Sequence, residues 1–95
     1  MHKGRYTSYC KLCNRVRPLT FHHLIPVILH KNKWFKKNFD KMEMTTQGIM
    51  ICRDCHMYIH DTFKPKEIGR EFNTEDKLRA NEKVSKFINF VRKKR

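Results

Sequence analysis

Three clusters in this chain have residue types and spacings suited to metal chemistry. Cys10-Lys11-Leu12-Cys13 and Cys52-Arg53-Asp54-Cys55 each set two thiols three positions apart. The second pair runs directly into His56 and, one helical turn later, His60. The third cluster is His22-His23, an adjacent pair near the end of the apolar run Leu19–Ile25, which stops at Pro26. Two Cys-x-x-Cys pairs supply four thiolates, the donor set of tetrahedral structural zinc. A redox or disulfide role fits less well, because no strand–helix–strand pattern surrounds either pair. With the cysteines committed to zinc, the histidines are left for a second ion. On a helix His56 and His60 share one face and can hold one ion together. On a strand His22 and His23 point to opposite faces. Only one of them can therefore join that ion, while the other can reach the substrate side as a base. Three protein ligands with positions left open describe a catalytic metal more than a structural one.

These side chains need particular elements to bring them together. Leu19–Ile25 reads as a short strand ended by Pro26, which has no N–H for a ladder bond. Gly48 precedes Ile49-Met50-Ile51-Cys52, suited to the second strand of a hairpin. After Cys52 the period turns helical: Cys55, Ile59 and Phe63 recur at i, i+4 and i+8, and Pro65 is a plausible stop. Residues 1–18 read as a basic lead-in carrying the first cysteine pair on a turn, and Lys31–Lys41 as a basic, aromatic excursion over the surface. Pro65–Phe72 is a short helix candidate, and Asn73-Thr74 offers caps for a helix from Glu75. Val84, Phe87, Ile88 and Val91 mark an amphipathic final helix, with Arg92-Lys93-Lys94-Arg95 where cations suit the helix dipole.

The chain has 95 residues, one domain at most, and such a chain buries a modest core that a structural metal can supplement. Its formal net charge is +13, and no acidic residue precedes Asp40 whereas nine lysines and arginines do. A one-signed field of that kind favours polyanions, nucleic acid foremost. Lys31, Lys33, Lys36 and Lys37 flank Trp34 and Phe35, a pattern compatible with phosphate contact plus stacking. The alternative is that Trp34, Phe35 and Phe39 pack into the core and only the lysines face solvent. Met1-His2-Lys3-Gly4-Arg5 lacks the apolar h-region of a signal peptide, and no apolar segment reaches membrane-spanning length. The expected setting is the reducing cytoplasm, where thiolates stay available for zinc. His2 and His30 are assigned no role.

The residues from Cys10 to about His60 closely resemble the HNH endonucleases, in particular small stand-alone members with a four-cysteine zinc site. The likeness rests on Cys10-x-x-Cys13, on His22-His23 followed by Ile25-Pro26, and on Cys52-x-x-Cys55-His56-x-x-x-His60. It implies an α+β chain with a ββα-metal fold: one nuclease domain over 1–95, its core at residues 19–63 and a helical extension at 64–95. It also implies roles: His22 with His56 and His60 as ligands of a divalent ion (Mg2+, Mn2+, Ni2+ or Zn2+), and His23 as general base. Gln47 stands where the family carries an Asn that orients the base-bearing loop. The implied activity is DNA hydrolysis by nicking or cleavage, leaving 5′-phosphate and 3′-hydroxyl ends. The implied partner is double-stranded DNA, bound by a monomer or weak dimer with no membrane involved. The competing reading is a noncatalytic zinc-containing module that binds nucleic acid. A protein-interaction zinc finger accounts for the cysteines but leaves the histidines unexplained.

Overall fold

In the computed structural model, which describes residues 6–93, three strands form one antiparallel sheet in the order β1-β2-β3. They are β1 (Tyr6–Tyr9), β2 (Val16–His23) and β3 (Gly48–Cys52). His2, Lys94 and Arg95 lie outside the described residues. The class is α+β, and the sheet has one strand more than the sequence suggests. Tyr-Thr-Ser-Tyr is too short and polar to announce a strand, yet its backbone pairs with β2 from Tyr6↔Leu19 to Tyr9↔Val16. From Tyr6 onward the lead-in is therefore a hairpin arm. Its turn holds the first cysteine pair and closes through Asn14, whose φ of 64° is left-handed, a region asparagine enters more readily than most residues. β2 starts at Val16, earlier than expected, and accommodates Pro18 opposite Thr7. It ends at His23, where the chain bends before reaching Pro26.

The excursion after β2 also has more structure than its sequence period implies. A 3-10 turn at Val27–Leu29 leads into α1 (Lys33–Asn38) and α2 (Lys41–Thr46). Each helix is short and depends on its cap. Asn32 Oδ1 accepts from Trp34 N–H at 2.9 Å, and Asp40 Oδ1 accepts from Glu43 N–H at 2.7 Å. Phe35 and Met44 are buried with Ile25 and Leu29 in a small second core. The three aromatics thus divide. Phe35 is buried and Phe39 half-buried, whereas Trp34 stays 41% exposed with the Arg70 guanidinium 4.2 Å from its ring centre.

α3 (Arg53–Thr62) follows β3 without a loop and buries Cys55 and Ile59, with Phe63 buried at its C-cap. Pro65 does not merely stop α3; it opens α4 (Pro65–Glu71), where a missing N–H costs nothing. α5 (Glu75–Ala80) is capped by Thr74, whose hydroxyl accepts from Lys77 N–H at 3.1 Å. Asn81 then ends α5 and caps α6 (Glu82–Arg92). α6 buries Val84, Ile88 and Val91, and Phe87 stacks on Tyr58 of α3 at 4.1 Å between ring centres. α3 is consequently held between the sheet and α6. Among the described residues no helix is long and apolar enough to cross a membrane.

The β2–β3 register pairs His22 with Ile49 and His23 with Gly48. Gly48 is needed there: a Cβ would lie 2.2 Å from Phe21 Cζ and 2.6 Å from the His22 carbonyl oxygen. Gly48→Ala should therefore destabilise the fold by about 1–3 kcal/mol, the usual range for overpacking. Urea unfolding would check this, and an unchanged midpoint would show that the strands close around a side chain without strain.

Candidate metal centres

The four cysteines converge from two corners of the sheet. Cys10 and Cys13 come from the β1–β2 turn, Cys52 from the end of β3 and Cys55 from the first turn of α3. All four are buried and none is in a disulfide. Sγ of Cys10 lies 3.8 Å from that of Cys55, and Sγ of Cys13 lies 3.7 Å from that of Cys52. A tetrahedral zinc with Zn–S bonds of about 2.3 Å has sulfur–sulfur edges of about 3.8 Å. The donor set and its spacing therefore fit zinc. The amides of Leu12, Cys13 and Cys52 donate to Cys10 Sγ at 3.3–3.4 Å, which suits a thiolate. Hydrogen bonding with Cys52 and Cys55 holds the Cys10 thiol well below its usual range, while the same contact with Cys10 pushes Cys52 and Cys55 up. In the absence of a cation, such packed sulfurs cannot all ionise. Zinc would relieve that conflict.

Arg15, which the motifs do not single out, completes this corner. Its Nε donates to Cys13 Sγ at 3.3 Å, and its Nη2 donates to Cys52 Sγ at 3.6 Å and to Asp54 Oδ2 at 3.0 Å. One largely buried guanidinium, its side chain 11% exposed, thus bridges both cysteine pairs and the first turn of α3. Its hydrogen bonds to Cys13, Asp54 and Cys52 hold its proton more tightly than usual, so it is a permanent cation beside the sulfurs.

The histidines form a second cluster on the other stripe of α3. His22 projects from β2 and is fully buried; His56 and His60 project from α3 toward it. His22 and His56 rings are 5.1 Å apart, His22 and His60 5.4 Å, and His56 and His60 4.9 Å. One ring nitrogen from each lies within 4.8 Å of the others, an arrangement that could hold a metal ion. Among the described residues, neither Nδ1 nor Nε2 of His22 has a hydrogen-bond partner. An orphaned buried polar atom costs about 1–3 kcal/mol, and a cation on its lone pair would relieve that cost. Burial, then the neighbouring His56, His60 and His23, push His22 down to about 3, so the ring is neutral. Burial likewise lowers His56.

Thr20, two residues before His22 on the same strand face, orients His56. Its hydroxyl donates to the Ile51 carbonyl at 3.2 Å and lies 2.7 Å from His56 Nδ1. With its one proton so engaged, Thr20 Oγ1 accepts from Nδ1–H and leaves His56 Nε2 with a free lone pair. The period-two alternation of a strand was the available signal for this residue.

His23 occupies the opposite face of β2, half-buried, with its ring edge-on to Phe21 at 4.8 Å. Its other neighbour is His30, at 5.8 Å between ring centres. His30 is held in turn by an Nε2–H bond to the Ile25 carbonyl at 2.8 Å. Burial and His30 both lower His23, which favours the neutral, proton-accepting form. Among the described residues the Gln47 side chain makes no hydrogen bond. Its backbone carbonyl, at the C-cap of α2, accepts from Leu24 N–H at 3.2 Å. The loop after His23 is therefore tied by backbone rather than by an amide side chain. Lys31, Lys33, Lys36 and Lys37 are all exposed.

Comparison with protein-family models, with curated proteins and with solved structures gives no match. What the chain does must be read from its own geometry.

The Arg15 contacts carry a specific expectation. In zinc-loaded protein, Arg15→Ala should lower zinc affinity about 10–100-fold, the usual effect of losing a ligand's hydrogen-bond partner. Competition with a chromogenic chelator measures this; wild-type retention by the variant would show that the guanidinium does not help hold the metal.

Proposed function

We propose that this chain is a metal-dependent HNH-type endonuclease that hydrolyses phosphodiester bonds in DNA, with β2, β3 and α3 as a ββα-metal core. One observation carries the reading: adjacent histidines on β2 are sent to opposite faces, His22 to a buried position beside His56 and the exposed His60, and His23 to a half-buried, accessible position. A module that only bound zinc would need neither. The basic surface supports nucleic acid as the substrate class, because exposed lysines hold phosphates without reading sequence.

His22, His56 and His60 are the residues that would hold a divalent ion such as Mg2+, Mn2+, Ni2+ or Zn2+. Such an ion would supply Lewis-acid charge to a phosphate oxygen and to the departing 3′ oxygen. Each of the three residues is prepared for that task. His22 is kept neutral by burial, His56 is turned by Thr20, and His60 lies one helical turn beyond His56. His23 accepts the proton of a water molecule that attacks phosphorus, giving a 5′-phosphate and a 3′-hydroxyl. Its lowered proton affinity keeps the base form populated at neutral pH, and Phe21 and His30 restrict its ring. The four-cysteine zinc takes no part in that step; it fixes where α3 begins.

The test is nicking of supercoiled plasmid with added divalent metal. Wild type should nick, and EDTA should abolish the activity. His23→Ala should slow nicking about 10²–10⁴-fold, the usual worth of a general base, while retaining DNA affinity. Equal loss of binding and nicking would remove His23 from the chemistry. Retained DNA binding with no nicking under any metal would favour the noncatalytic nucleic-acid module.

A further inference from the structure

His30 connects His23 to a cavity that the sequence gives no reason to expect. The cavity has a volume of about 370 Å3, with His30, Lys31, Lys36 and Lys41 around it and Phe39 on its apolar side. Asp40 is the one carboxylate on its rim, and its Oδ1 is engaged in capping α2 at 2.7 Å from Glu43 N–H. Among the described residues, none of the three ammonium groups has an ion-pair or hydrogen-bond partner. Three cations against one carboxylate leave the concavity with a net positive potential that favours an anion. The four lysines of the sequence patch are not equivalent in this respect. Lys31 and Lys36 line the cavity with Lys41, while Lys33 and Lys37, one turn apart on α1, do not.

We propose that this cavity is a backbone subsite: it takes a phosphate and sugar of the same DNA strand that is presented to His23, with the lysines on the phosphate and Phe39 against the sugar. The assignment rests on the endonuclease reading, because the contact of His30 with His23 is what places the cavity along the path of the cut strand. Its role is to fix the register of the strand, so that the phosphate next to the reacting one is gripped. Phosphate contacts position a strand without specifying its sequence.

Two variants of equal charge change separate this from a diffuse basic surface. One carries Lys31→Ala, Lys36→Ala and Lys41→Ala; the other carries Lys33→Ala, Lys37→Ala and Lys93→Ala. All six side chains are exposed, and circular dichroism with zinc content reads whether the fold is kept. Binding of a short fluorescein-labelled duplex, measured by anisotropy across a salt series without added divalent metal, should weaken at least tenfold more in the first variant. The slope of log affinity against log salt should fall by about 1 per cavity lysine in the first variant and stay near wild type in the second. Equal losses in both variants, or no loss in either, would overturn the subsite. Wild-type plasmid nicking reads the endonuclease proposal separately. Selective loss in the first variant of a protein that cuts nothing supports the cavity as a DNA site and overturns the cleavage reading.

Discussion

The structure depends on one constraint: four cysteine sulfurs, drawn from sequence positions far apart, meet within bonding reach of a single ion. Zinc in a small structural site contributes on the order of 10 kcal/mol, similar to the whole net stability of a domain, about 5–15 kcal/mol. In a core this small, that contact joins the β1–β2 turn to the β3–α3 junction, beside the Lys11 N–H bond to the Met50 carbonyl. It also sets direction. Because Cys52 ends β3 and Cys55 sits in the first turn of α3, fixing both sulfurs fixes the angle and rotation of the helix. Arg15 extends the same corner by linking two thiols to Asp54.

The histidine cluster follows from that rotation. With Cys55 and Ile59 turned into the core, His56 and His60 occupy the adjacent stripe and face β2. The pleat of β2 then separates two residues of identical chemistry. His22 is buried and neutral, its ring nitrogens unpaired among the described residues; His23 is half-buried on the other side, among Phe21 and His30. α6 backs the far side of α3 through the Tyr58–Phe87 stack, so the helix cannot retreat from the sheet. The C-terminal helices therefore support the site without contributing a ligand.

The legible parts of this fold are those written in local spacing. The i, i+3 cysteines, the i, i+4 histidines and the Cys55–Ile59–Phe63 stripe each lie within a few residues, so their geometry follows from helix and turn periods alone. β3 and α3 were readable for the same reason. β1 was not, because Tyr6–Tyr9 becomes a strand only through its partner β2. α1 and α2 lack a clear apolar period, although Asp40-Lys41-Met42-Glu43 contains a capping signal that marks the start of α2. The residues that reasoning from motifs passed over, Thr20, Arg15 and His30, act through contacts that exist only once the chain has folded. Gln47 adds a contact that no motif announces, its backbone carbonyl accepting from Leu24 N–H.

The central claim is that two kinds of metal site coexist, a closed one on the cysteines and an open one on His22, His56 and His60. Native mass spectrometry of zinc-saturated protein, before and after mild chelation, tests it most directly. The account predicts two bound ions, of which chelation removes one, and a single chelation-resistant ion in His22→Ala. A wild type that binds only one ion, or a His22→Ala variant that still binds two, would contradict it.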